Sequence, residues 1–300
     1  MVPRVLAGVL GAAIVLTACG SPPLPPAAAS PEAIPVVAST DVYGAVVRAV
    51  GGARVAVTSL IDDPAADPHS FEPPPADAAA VARARLVVVN GGGYDDFAER
   101  LAPGPDAVVV NVVELSGLTA PADGELNEHV WYSLPTMKTL AGRIARDLAT
   151  VDPAAAGEFT ANADAFDTRV DGLITKVDAV KSAHGGDRIA VTEPIPLYLT
   201  EAAGLVNATP EEFSEAVEED TDPPAAAVAQ TLDLFAADPV RALLVNGQTR
   251  TPVTDQVEQA ARAAAVPVVE VGETLPAGVD DYVVWMGGQI DALDRALDRT

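Results

Sequence analysis

The chain has 300 residues, 49% of them hydrophobic and 20% charged, which is enough apolar material for a substantial core and excludes a disordered protein. At about 100–200 residues per domain, this length points to two domains or lobes, or to one large domain. Lys and Arg number 18 against 43 Asp and Glu, a formal net charge of −25. That field repels duplex nucleic acid, so no nucleic-acid partner is expected, and it draws cations.

Met1 to Arg4 is a short positive start, followed by an apolar run over 5–16 and the small-residue ending Leu16-Thr17-Ala18-Cys19. The run is too short to cross a bilayer core of roughly 30 Å with margin and lies at the extreme N-terminus, so it reads as a secretory signal. The Leu-x-Ala-Cys ending resembles a bacterial lipobox. This implies removal of residues 1–18 and lipid attachment at Cys19 on the outer face of the cytoplasmic membrane. Cys19 is the single cysteine, so an internal disulfide is impossible. Residues 19–35 are rich in Pro, Ala and Ser without periodicity and suit a flexible tether.

Beyond the tether, short β-branched runs at 36–39, 55–59, 86–90 and 107–110 alternate with helical patterns at 42–50 and 76–84. Alternation of this kind predicts a parallel sheet with covering helices. Pro135 opens a helix with Met137, Leu140, Ile144 and Leu148 on one face. Asp152-Pro153 is a helix-start pair and Gly185-Gly186 a stop. Between them Phe159, Ala163, Phe166, Val170, Leu173, Val177 and Val180 recur every three or four residues. That spacing predicts one amphipathic helix of roughly 30 residues, about 45 Å long, spanning between lobes. Strands at 188–192, 242–246 and 266–271 then alternate with helices at 197–203, 225–235, 255–264 and 281–297. The expected organisation is an α/β lobe over 36–151, a linking helix over 152–185 and a second α/β lobe over 186–300. Ligands of such sheets bind beyond the carboxyl ends of the strands, here in the cleft between lobes.

There are three histidines. His69 lies in the proline-restricted loop Asp67-Pro68-His69-Ser70-Phe71-Glu72-Pro73, and His129 in Glu128-His129-Val130-Trp131 before the Pro135 helix. His184 ends the long helix, where a cation complements the helix dipole, and is read as that alone. Glu193 follows a strand directly in Thr192-Glu193-Pro194, and Asp280 stands at the start of the last helix, where a plain capping role is also open. Spacing alone does not join these residues. Phosphate loops and the His-Glu-x-x-His and Gly-x-Ser-x-Gly signatures are absent, so the chain is not read as an enzyme.

Taken in order, the His69 loop with Asp77 and Leu86-Val87-Val88-Val89-Asn90-Gly91, the His129 segment, Thr192-Glu193 through Tyr198, and Asp280-Asp281-Tyr282 resemble the four ligand segments of the cluster A-I substrate-binding proteins. These are the zinc and manganese receptors of bacterial ABC importers. The resemblance implies two Rossmann-like lobes joined by one long rigid helix. It also implies one Zn²⁺ or Mn²⁺ as transported ligand, held by His69, His129, Glu193 and Asp280. The implied protein is a lipid-anchored monomer serving an ABC permease and its ATPase. Two imidazoles and two carboxylates around a dication suit Mn, Fe or Zn and disfavour Cu(I). Glu193 matches the manganese or iron type, because many zinc members carry histidine there. The His-rich loop of those members is missing, since residues 117–127 contain no histidine. Asn246-Gly247-Gln248-Thr249 replaces a glutamate-containing strand end common in the family. A receptor of this fold for a chelated or organic ligand, and a metal-dependent enzyme, are the alternatives.

Overall fold

Four β-branched runs, each bounded by turn residues, make the first sheet of the protein, whose structure is a computed structural model. It describes residues 33–64, 71–101, 103–121, 124, 126–236 and 239–299, besides Met1. Cys19, the expected signal and most of the tether, and His69 lie outside the described residues.

The first lobe runs β1 (Ile34–Thr40), α1 (Asp41–Gly51), β2 (Val55–Ile61), α2 (Pro75–Val81), β3 (Leu86–Val89), α3 (Asp96–Glu99), β4 (Val108–Asn111), α4 (Val112–Ser116) and α5 (Leu134–Val151). Its strands are parallel in the order β2-β1-β3-β4. The central strand β3 is buried along its whole length, as the unbroken Leu-Val-Val-Val run requires. Then comes α6 (Ala156–His184). The second lobe repeats the plan with β5 (Arg188–Val191), α7 (Leu197–Ala202), β6 (Val206–Asn207), α8 (Glu211–Glu218), α9 (Ala225–Asp233), β7 (Ala242–Asn246), α10 (Pro252–Ala263), β8 (Val268–Val271) and α11 (Tyr282–Leu297). Its parallel order is β6-β5-β7-β8.

Helix α6 has 29 residues, about 43 Å at 1.5 Å per residue, and buries the whole apolar stripe from Phe159 to Val180. It packs on α1 and α5 of the first lobe and on α7 and α11 of the second, so one rigid rod serves both. One hydrophobic cluster runs from Val36 and Tyr43 through Trp131 and Phe166 to Tyr282 and Leu293 and joins the lobes, each of which also keeps a smaller cluster of its own. Among the described residues no helix is long and apolar enough to cross a membrane.

Several ends differ from expectation. Asp152 does not cap α6: a 3₁₀ turn over Pro153–Ala155 intervenes, and the Asp152 side chain makes no cap hydrogen bond. Helix α10 begins at Pro252, where Thr251 and Thr254 exchange side-chain and backbone hydrogen bonds. The cap of α11 is Asp281, which accepts from the N–H groups of Val283 and Val284, so Asp280 does not have that role. Helix α8 and strand β6 fill a stretch where no element was expected. Helix α8 carries only Phe213 and Val217 as its buried apolar pair, too short a pattern for periodicity to register.

Candidate functional site

The chain leaving β4 and α4 returns to the cleft at Glu128-His129, ahead of a 3₁₀ turn over Val130–Tyr132. His129 is fully buried, with Trp131 and Tyr94 stacked edge-on or tilted around it. Its backbone N–H and its ring Nδ1 both bond Asn127 Oδ1, at 3.0 and 2.8 Å. A carboxamide oxygen only accepts, so Nδ1 carries the hydrogen and Nε2 is the nitrogen presented to the cleft. Asn127 is itself held from the second lobe: its amide donates to the Pro194 carbonyl at 2.9 Å, and Tyr198 Oη donates to its carbonyl at 2.6 Å. The imidazole of one lobe is thus oriented by the loop carrying Glu193 in the other.

Behind His129 the glycine-rich turn has a defined use. Gly91, Gly92 and Gly93 all take positive φ, letting Asp95 turn back and accept from the N–H groups of Asn90 at 2.6 Å and Gly91 at 2.8 Å. Asn90 accepts from Tyr43 Oη and donates to the Glu128 carbonyl at 3.0 Å, fixing the backbone beside His129.

The second lobe supplies carboxylates. Glu193 is 3% exposed, two residues past β5; Glu273 is 1% exposed, two residues past β8. Asn246, at the end of β7, donates from one amide to both, at 2.6 Å to Glu193 Oε2 and 2.8 Å to Glu273 Oε1. Thr249 Oγ1 donates to the other oxygen of Glu193. Tyr94 Oη crosses from the first lobe to donate to Glu273 Oε2 at 3.0 Å. Helix α8 adds Glu218, whose Oε1 lies 3.1 Å from His129 Nε2.

These neighbours shape one another's protonation. Burial alone would depress the His129 pKa, but the charge of Glu218 and its bond to the ring, with Glu128 and Glu273 behind, raise it to about 9. Burial pushes Glu193 up to about 7, reinforced by the Glu218 charge and opposed by the Thr249 and Asn246 bonds. Several carboxylates around one buried imidazole form a cluster that a cation would relieve. Among the described residues Glu128, His129 and Glu218 can each bring one donor atom within 4.8 Å of the others'.

Of the residues expected from sequence, His129 and Glu193 lie in this cluster and His69 is outside the described residues. Asp280 is exposed and lines a separate open cavity of about 400 Å³ with Asp41, Arg48 and Asp62. Its neighbour Asp281 pairs with Arg169 at 2.8 Å. The acid that enters the cluster from this loop is Glu273. The same rule that singled out Glu193, a carboxylate just past a strand's carboxyl end, applies to Val271-Gly272-Glu273 and could have found it. His184 ends α6 with Asp187 and Asp298 carboxylate oxygens each 3.3 Å from one of its ring nitrogens, away from the cleft cluster.

Two parallel α/β lobes are thus fastened to one long helix, with a buried polar cluster at their strand ends. The chain belongs to the family of zinc-uptake complex component A, periplasmic, which matches residues 36–296. It is 31% identical over 139 residues to the manganese-binding lipoprotein MntA of Halalkalibacterium halodurans, 45% of each chain. It is 30% identical over 124 residues to the iron-binding protein YfeA of Yersinia pestis, 40% of each. These matches therefore span less than half the length of either relative. Its fold is that of the periplasmic zinc-binding protein TroA from Treponema pallidum, with a TM-score of 0.74 and 19% identity over 89% of this chain and 99% of that one.

Proposed function

We propose that this protein is an extracytoplasmic receptor that captures one divalent transition metal, Zn²⁺ or Mn²⁺, between its lobes. It would deliver the ion to the permease and ATPase of an ABC importer. The observation that carries this reading is the buried His129–Glu193–Glu273 neighbourhood, oriented from both lobes and rich in negative charge. His69 and His129 would supply nitrogen donors and Glu193 and Glu273 oxygen donors, Glu273 standing in place of Asp280. Nitrogen and oxygen donors alone suit Zn, Mn or Fe, and selectivity must come from geometry and supply. A metal bridging both lobes would hold the cleft shut, and release of one lobe's donors would open it towards the permease.

Family membership and the absence of nucleophile or phosphate-loop signatures support a transport role without catalysis. Lipid attachment at Cys19 would keep the monomer at the outer face of the cytoplasmic membrane, with residues 19–35 as tether. Replacing Cys19 by Ser should release the protein from membranes and leave metal binding intact, as fractionation would show. Continued membrane retention would refute the anchor.

A further inference from the structure

Glu218 has no place among the donors named so far, yet it faces the ring nitrogen of His129 through which an ion would be held. Nδ1 of that ring is engaged by Asn127, and Nε2 lies 3.1 Å from Glu218 Oε1, with both side chains nine-tenths buried or more. Glu218 also brings a donor atom within 4.8 Å of donors on Glu128 and His129 of the first lobe, although its own helix belongs to the second. Its place on α8 does nothing for the helix. Glu218 is the last residue of α8, where a carboxylate opposes the helix dipole and a basic side chain would stabilise. The end of α8 is nonetheless held firmly. Asp220 adopts a positive φ of 56°, and Thr221 bonds back to the Ala216 carbonyl through its N–H at 2.8 Å and its hydroxyl at 3.1 Å.

We propose that Glu218 is a further donor to the cargo ion and biases the site towards a six-coordinate dication such as Mn²⁺ over a tetrahedral one such as Zn²⁺. The proposal rests on the metal-receptor reading above. The spacing supports it: donors about 2.1 Å from one ion stand about 3.0 Å apart at a right angle and about 3.4 Å apart in a tetrahedron. The observed 3.1 Å is close to the right-angled edge, so an ion could take both atoms with little movement of either. Chemistry agrees. A third carboxylate, joining Glu193 and Glu273 beside the His129 imidazole, makes the described candidate donors rich in oxygen. Oxygen-rich sixfold sites favour Mn²⁺, whereas Zn²⁺ fills its shell with four donors and gains little from a fifth.

The test is Glu218→Gln in the full-length protein, which keeps size and removes charge. Mn²⁺ and Zn²⁺ are titrated separately against the metal-stripped protein by competition with a chelator dye. The Mn²⁺ electron paramagnetic resonance spectrum of the loaded protein is recorded alongside. The proposal expects Mn²⁺ affinity to fall at least ~10-fold, the loss typical even of an outer partner, with Zn²⁺ changing less and the Mn²⁺ spectrum altered. Equal losses for both metals with an unchanged spectrum would overturn it. So would tighter binding of both, the result expected if Glu218 merely competes for Nε2. Wild-type protein that binds neither metal would instead refute the receptor reading itself. An unchanged melting temperature of the metal-free variant separates loss of a donor from loss of fold.

Discussion

In the first lobe Thr40-Asp41 leaves β1 and Asn90 follows β3; in the second, Thr192-Glu193 follows β5 and Asn246 closes β7. The strand orders β2-β1-β3-β4 and β6-β5-β7-β8 make these positions equivalent. Their uses differ. Asn90 directs its amide at the carbonyls of Gly91 and Glu128, whereas Asn246 directs its amide at two carboxylates. Asp41 reaches out of the first lobe to accept from the Leu275 N–H, tying down the loop that carries Glu273, while Glu193 lies within the cleft cluster. One strand-end frame therefore serves backbone in the first lobe and charge in the second. The first lobe then adds its imidazole from a loop, so the polar cluster is assembled from both lobes.

The largest effects should come from removing the donors. His129→Ala or Glu193→Ala should each weaken metal binding by more than the ~10–100-fold that loss of an outer partner costs. His184→Ala, on the far end of α6, should leave it unchanged in the same titration. Comparable losses at all three positions would erase the distinction between cluster and helix end.

Next come the two asparagines. Asn246→Ala should cost ~10–100-fold in affinity, because Glu193 and Glu273 lose the donor that sets their spacing. Asn90→Ala should instead lower stability, by about 1–3 kcal/mol for unpaired buried partners, measured by denaturant unfolding. If Asn90 moved affinity more and stability less than Asn246, the division of labour between lobes would be wrong.

Proton competition sharpens the same contrast at intermediate size. An ion must displace the His129 proton, held up to about 9, and the Glu193 proton, held up to about 7. Affinity should therefore rise from pH 6 to pH 9, by up to about tenfold per unit for each proton displaced. In the metal-free protein the sign is reversed. Both groups bind protons more tightly folded than unfolded, so stability is full below their ordinary values of 6.5 and 4.5. It is lost as pH rises through about 7 for Glu193 and about 9 for His129. Calorimetry in buffers of different ionisation enthalpy would count the protons released, and none released at pH 7 would contradict the account.

The smallest effects separate the adjacent acids before α11. Asp281→Ala should cost about 1 kcal/mol of stability through the lost cap. Asp280→Ala should stay within about 0.5 kcal/mol, as exposed substitutions do, and neither should change affinity in a metal titration.

Much of this was legible in the residues. Periodicity located α6 because its buried stripe is long and regular, and β-branched runs located the strands of both sheets except the two-residue β6. Glu193 stood out by its place just past a strand, whereas His129 was joined to it only through the resemblance to the family's ligand segments. What escaped depended on distance in space. Glu273 follows β8 as Glu193 follows β5, so the same rule reaches it, but only its bonds to Asn246 and Tyr94 show that it belongs with Glu193. Glu218 sits on a helix of eight residues with two buried apolar side chains, too little pattern to read, and its partner His129 is 89 residues earlier. Asn127 carries no catalytic or ligand signature; only the cross-lobe bonds to Pro194 and Tyr198 reveal that it sets the imidazole.

The central claim is that a metal is captured where both lobes contribute. Its most direct test is calorimetric titration of the metal-stripped protein and of its Glu273→Gln and Asp280→Asn variants with Mn²⁺ and Zn²⁺ in turn. Tight one-to-one binding to the wild-type protein is expected, retained by Asp280→Asn and severely weakened by Glu273→Gln. No binding of either metal to the wild type, or binding that depends on Asp280 and not on Glu273, would contradict it.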